Sequence, residues 1–206
     1  MKKLPLLAVA LVALCSGLMI SWLVYDTRPV TLEAGQWFAD QAKALPQFQL
    51  VDHNNQSLGN PQLGGKWSLM FFGYTNCPDI CPTSLQTLSD MMNAIDDSDV
   101  RNTIQVIFVS VDPERDSPEI LKPYVQYFNE DFIGATAPLT ELNRLTTVIG
   151  IGHSRDKSSE EASSYDVSHS STIILINPAV EFAGVFSAPH NTPAMARDLV
   201  KIVERN

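Results

Sequence analysis

Cysteine is scarce in this chain, with three in 206 residues. So few cannot build a disulfide framework, which leaves any pair as a redox couple, a metal site or an isolated bridge. Basic residues are also few: 14 Lys and Arg stand against 23 Asp and Glu, for a formal charge of −9. A phosphate-tracking basic surface is thereby excluded, and nucleic acid with it as a partner. Repeats and low-complexity tracts are absent from Pro46 onward, which points to one domain there. What remains is an ordinary globular composition, 45% apolar and 18% charged, in a length suited to one domain and an extra segment.

The extra segment is N-terminal. After Met1-Lys2-Lys3, the 22 residues 4–25 carry no charge; as a helix rising about 1.5 Å per residue they match a hydrocarbon core of roughly 30 Å. The run exceeds the apolar stretch of a secretory signal, and no convincing small-x-small cleavage site follows it. Residues 1–25 therefore read as a cytoplasmic start and a single-pass transmembrane anchor. Cys15 reads as a small apolar residue of that helix, because Val12-Ala13-Leu14 puts a bulky leucine where a lipid-attachment signal wants a small residue. Lys2 and Lys3 hold the N-terminus in the cytoplasm. In a bacterium this puts the remaining chain on the periplasmic side of the inner membrane. That exported part has 12 basic and 23 acidic residues, a net of −11, and two cysteines, Cys77 and Cys81. Residues 26–45, irregular in pattern and containing Pro29 and Gly35, read as a tether.

Over 46–206, short β-rich runs alternate with longer amphipathic ones, the pattern of an α/β domain. Residues 67–74 (WSLMFFGY) and 104–111 (IQVIFVSV) are nearly continuous apolar runs of buried-strand length. Between them Leu85, Leu88, Met92 and Ile95 follow one helical face, giving a right-handed β-α-β unit. Ser117-Pro118 starts a second helix with Ile120, Leu121, Tyr124, Val125 and Phe128 as its stripe. A short strand at Phe132-Ile133 and a third helix capped by Thr140 follow. Residues 152–168, rich in serine and charge, read as a solvated, hairpin-like loop. Strands at 172–176 and 181–186 flank the turn Asn177-Pro178, and Thr192-Pro193 caps a last helix. The order β-α-β-α then β-β-α is thioredoxin-like in outline.

The chemistry concentrates where the first buried strand gives way to a helix, at Tyr74-Thr75-Asn76-Cys77-Pro78-Asp79-Ile80-Cys81-Pro82. Pro82 suits a first helical position, which reads Cys81 as the N-cap with Cys77 in the turn before it. Free amides at the helix end favour thiolates. Two thiolates at this spacing can converge on one metal ion or close to a disulfide. A structural bridge over so short a loop adds little stability, so a functional pair is the stronger reading. Imidazole is the natural third ligand for copper beside two sulfurs. His53 in a turn, His153 at the start of the polar loop and His190 before a helix cap read as surface residues. His169 immediately precedes the strand starting near Ser171; if that strand pairs with the one ending at Tyr74, its entry lies near the cysteine turn. Asp112-Pro113-Glu114-Arg115-Asp116 reads as a loop leading to the Ser117 cap, with a docking surface as its rival reading. Tyr74 and Phe72 read as sheet core.

GYTNCPDICP, VSVDPERDSPEILKPYVQYF and HSSTIILINP, in this order behind the anchor, resemble the Sco/SenC family of membrane-anchored copper-binding proteins over most of residues 46–206. The resemblance implies a thioredoxin-like fold, and copper, Cu(I) or Cu(II), held by the two cysteines of a CxxxC motif and one distal histidine. Those positions match Cys77, Cys81 and His169. It also implies assembly of the binuclear copper centre of cytochrome c oxidase subunit II, by handing over copper or by keeping that subunit's cysteines reduced. Two positions depart from many relatives, Asn76 in place of histidine and Ser168 in place of aspartate. Neither removes a ligand, and the second changes the neighbourhood that orients His169. The rival from another class is a thiol-disulfide oxidoreductase, acting on the oxidase subunit or another client, with Cys77 and Cys81 as its redox pair. Peroxide reduction ranks below both, having no signature beyond the cysteines. Zinc on three ligands is a catalytic arrangement needing an activated water and a base, for which the sequence offers no case.

Overall fold

The computed structural model describes the backbone of residues 4–26, 31–38, 41–155, 167–169 and 171–205, and the side chains of 8–21, 31–38, 41–152 and 171–205. It divides into two compact units, Met1–Thr31 and Leu32–Asn206. The first holds α1 (Leu4–Asp26), whose described side chains are all exposed. Among the described residues no helix is long and apolar enough to cross a membrane; residues 8–21 cover about 21 Å of helix axis.

The second unit runs β1 (Gly35–Trp37), β2 (Lys43–Ala44), β3 (Gln49–Asp52), β4 (Ser57–Gly59), α2 (Asn60–Leu63), β5 (Trp67–Gly73), α3 (Ile80–Asn93), α4 (Ser98–Asn102), β6 (Ile104–Ser110), α5 (Pro118–Phe128), β7 (Ile133–Thr136), α6 (Leu139–Ile149), β8 (His153–Arg155), β9 (Val167–His169), β10 (Ile173–Ile176), β11 (Glu181–Phe186) and α7 (Thr192–Val203). The main sheet has the order β1-β11-β10-β5-β6-β7-β3-β4, with β2 also on β11. β5, β6 and β7 are parallel; β10 is antiparallel to β5, and β11 to β10. Every residue of β5 is buried because the strand is covered on both faces, which is why its sequence does not alternate in polarity. Trp67, Leu69 and Phe71 meet Leu85 of α3, Leu121 of α5 and Met195 of α7 on one face. Met70 and Phe72 meet Leu142 and Leu145 of α6 on the other.

Several boundaries differ from the sequence reading. The stretch read as a tether contributes two strands, β1 and β2, to the edge formed by β11. Asp198 of α7 fixes the approach to β1: its carboxylate accepts the N–H groups of Glu33 at 2.8 Å, Ala34 at 2.7 Å and Gly35 at 3.1 Å. Pro138 rather than Thr140 is the N-cap of α6. Asn191 rather than Thr192 caps α7, its side chain accepting from the N–H of Ala194 at 3.1 Å. α6 ends at Gly150, whose φ of 74° a residue with a Cβ adopts at a cost. The polar segment after it is a hairpin where described: β8 and β9 form their own two-stranded sheet. Residues 156–166, the middle of the segment read as a loop, lie outside the described residues.

Two helices of one face begin at the same end of the sheet. α3 follows β5 and crosses to the parallel strand β6, so it starts where β5 stops. β11 runs in the direction of β5, since each is antiparallel to β10, so α7 also starts there. This shared end carries the chemistry.

Candidate metal centre

β5 ends at Gly73, in register with Ser110 at the end of β6. The chain then turns, with the N–H of Cys77 donating to the carbonyl of Tyr74 at 3.3 Å. Asp79 is the N-cap of α3, which places Cys81 inside the first turn rather than at the cap. The reason lies in Pro82: the first turn of a helix leaves its N–H groups unpaired, so a proline fits there without costing a bond. The N–H of Cys81 donates to Cys77 Sγ at 3.4 Å, which brings the two cysteines together. Neither is in a disulfide; Cys77 is half-buried and Cys81 fully buried. Pro78, Asp79 and Ile80 between them are exposed.

Gly73 makes room for the buried sulfur. A Cβ there would stand 2.5 Å from Cys81 Sγ and 2.8 Å from Cε2 of Phe108, so the thiol rests on bare strand backbone. Burial pushes the Cys81 thiol far above its ordinary range; a hydrogen bond with the Tyr74 backbone pulls the other way, and Cys77 and Asp116 add to the rise. At Cys81 burial thus opposes the pull of the helix end, which by itself favours a thiolate. A cation bound there would replace its proton.

The 112–116 loop holds this turn, a role that sequence reasoning missed. Asp116 is sealed from solvent and accepts three hydrogen bonds: from Thr75 N–H at 2.9 Å, from Thr75 Oγ1 at 2.5 Å and from Ser110 Oγ at 2.5 Å. Buried Asp112 pairs with the guanidinium of Arg115, whose Cζ lies 5.6 Å from the centroid of the Tyr74 ring. The available signal was topological, since the loops after two adjacent parallel strands leave the same sheet edge. Tyr124 completes the wall, its ring 5.5 Å from Phe108 and 5.7 Å from Phe128. Its hydroxyl is buried without a hydrogen-bond partner among the described residues. Burial raises the phenol pKa, and Cys81, Cys77 and Asp116 raise it further, which puts it in the electrostatic neighbourhood of both thiols.

Two histidines read as surface residues are not. His53 is buried, and its Nδ1 accepts the N–H of Gly134 at 2.9 Å; burial, the largest effect, lowers its pKa. His190 is half-buried, with Nε2 2.9 Å from the carbonyl oxygen of Ser171. The backbone pairs His153 with His169 across β8 and β9. The side chains of both, and that of Ser168, lie outside the described residues. The strand pairing expected for β10 holds: it lies against β5 with Ile173 opposite Phe71, so its entry reaches the end where β5 stops. Asn76 is exposed in the cysteine turn. Among the described residues no cluster of three or more His, Cys, Asp or Glu side chains could hold a metal ion. Cys77 and Cys81 are thus two adjacent soft donors, a set that fits copper.

A protein of Stutzerimonas stutzeri is 31% identical over 204 residues, covering 99% of this chain and 98% of its own. The copper-bound structure of Arabidopsis thaliana ScoI superposes with a TM-score of 0.71 at 30% identity, over 78% of this chain and 98% of that one. Copper-bound ScoI of Bradyrhizobium japonicum gives 0.68 at 31% identity, over 77% and 98%. The mixed sheet with helices on both faces is thus the thioredoxin-like fold of Sco proteins. With the SCO1/SenC family model matching residues 38–204, the chain belongs to the SCO1/SenC family.

Proposed function

We propose that this protein binds copper through Cys77, Cys81 and His169 and hands it on during assembly of the binuclear copper centre of cytochrome c oxidase subunit II. The observation that carries this is the meeting of two cysteines that form no disulfide in one turn, Cys81 N–H to Cys77 Sγ at 3.4 Å, at the exit of the central strand. Copper-bound relatives of the same family support it. Two sulfurs and one imidazole form a soft, low-coordinate set suited to Cu(I), and an added oxygen ligand suits Cu(II). Copper here is cargo. The exposed Pro78-Asp79-Ile80 segment lets a client approach the half-buried Cys77, while buried Cys81 anchors the site from below. Residues 1–25 would fix the protein in the bacterial inner membrane with the copper domain in the periplasm. Protease added to the periplasmic side should digest that domain and leave a tag before Lys2 intact.

The unequal exposure of the two thiols favours one second reading, a thiol-disulfide oxidoreductase. Cys77 would attack a client disulfide, forming a mixed disulfide and releasing one client thiolate. Cys81 would then displace the second client sulfur, leaving a Cys77–Cys81 disulfide and a client reduced by two electrons. Cu(I) titration of the reduced protein against a competing chelator separates the readings. Tight one-to-one binding, abolished in Cys77→Ala and Cys81→Ala and weakened in His169→Ala, is the result expected. Weak binding indifferent to His169, with turnover of a client disulfide, would replace it by the oxidoreductase.

A further inference from the structure

His190 lies outside the proposed ligand set, yet it is bonded to the chain that carries it. Its Nε2 is 2.9 Å from the Ser171 carbonyl oxygen, which can only accept, so Nε2 bears the proton. Ser171 is two residues beyond His169 and leads into β10. The β10 register, Ile173 opposite Phe71, carries this stretch toward Gly73, on whose backbone the Cys81 sulfur rests.

The element that bears His190 is well held. Asn191, the next residue, caps α7; Met195 and Leu199 of α7 sit in the core; and Asp198 ties it to residues 33–35. The hairpin that ends in His169 is held differently. Among the described residues β8 and β9 pair only with each other, off the main sheet. The hairpin joins the domain at two places, through Ile151, which is buried and donates its N–H to the Thr146 carbonyl at 2.9 Å, and through the residues that lead into β10; His190 grips the second. α3 and α7 start at the same sheet end, so Cys81 in the first turn of one helix and His190 just before the other flank the same ground.

We propose that His190 is a positioning residue for the third copper ligand: its Nε2–H bond to the Ser171 carbonyl fixes where the segment from His169 joins the sheet, and so sets that imidazole against Cys77 and Cys81. The proposal rests on the reading of His169 as a ligand. Loss of such an outer support costs about 10-fold in metal affinity.

The test is a double-mutant cycle on the full-length reduced protein, with Cu(I) affinity measured against a chelator for His190→Ala, His190→Gln, His169→Ala and His169→Ala/His190→Ala. The Cu(II) electron paramagnetic resonance spectrum is recorded for each. His190→Ala should lose about 10-fold, and His190→Gln, whose amide N–H can reach the same carbonyl, should recover most of it. In the His169→Ala background the alanine at 190 should cost nothing further, and the spectrum of His190→Ala should keep the sulfur and nitrogen signature of the wild type. An equal loss in both backgrounds, or wild-type affinity in His190→Ala, would overturn the positioning role. So would loss of nitrogen coupling in both His190 variants, by making His190 itself a ligand. Wild-type affinity in His169→Ala would instead sink the ligand reading underneath, so the two failures are distinguishable.

Discussion

Asp198 and Asp116 are both sealed from solvent, and each carboxylate joins stretches of chain that are far apart in sequence. Their donors differ. Asp198 accepts from three backbone N–H groups, those of Glu33, Ala34 and Gly35, which cannot turn to another partner; the Lys201 ammonium lies 3.7 Å away. Asp116 accepts from one backbone N–H and from two hydroxyls, Thr75 and Ser110, which can rotate. The first arrangement locks the approach of an edge strand to the last helix. The second holds the cysteine turn through donors that can follow small movements of the turn. A buried carboxylate in this protein thus serves fold or site according to what it accepts from.

Replacing each carboxylate should separate the two roles. Asp198→Ala strands three amides at about 1–3 kcal/mol each, so urea unfolding should show a loss of at least about 3 kcal/mol, with copper stoichiometry of the folded fraction unchanged. A loss below about 1 kcal/mol would mean that the three amides find other partners and that Asp198 does not lock the edge strand. Asp116→Ala strands one amide while its hydroxyl donors re-aim, so a stability loss of about 2 kcal/mol is expected. Its copper affinity should fall about 10-fold, and unchanged affinity would deny the loop its hold on the site.

Smaller changes sharpen the picture around the buried thiol. Gly73→Ala puts a methyl 2.5 Å from Cys81 Sγ, which forces the sulfur or the ring of Phe108 to move. About 1–2 kcal/mol of destabilisation should follow, with weaker copper binding in the same chelator assay. Full stability and affinity would mean that the sulfur does not rest on the strand. Tyr124→Phe should have the least effect and the opposite sign. Removing a buried hydroxyl without a partner should stabilise the metal-free protein by up to about 1 kcal/mol, read as a raised midpoint in urea. Destabilisation would show that the hydroxyl is satisfied in solution.

The elements legible in the sequence are those whose burial leaves a local pattern. β5 and β6 are covered on both faces and read as apolar runs, and α3, α5 and α7 carry one-sided stripes. That Cys77 and Cys81 share a strand-to-helix turn was legible in the sequence; His169 was singled out by the family resemblance together with its position before β10, and its side chain lies outside the described residues. Bonds between distant residues leave no such trace. Glu33 and Asp198 are 165 positions apart, and Thr75 and Asp116 are 41 apart. β1 and β2, three and two residues long, exist because β11 offers an edge to pair with, and both are too short to leave a readable period in the sequence. His53 hid for the same reason: its partner Gly134 lies 81 residues away.

Coordination of copper by two sulfurs and one histidine nitrogen, as proposed, is read out by X-ray absorption on the reduced, Cu(I)-loaded protein. Two sulfurs and one nitrogen around the copper are expected, with the nitrogen lost in His169→Ala while the sulfurs persist. A shell of sulfur alone in the wild type, or one unchanged by removing His169, would contradict it.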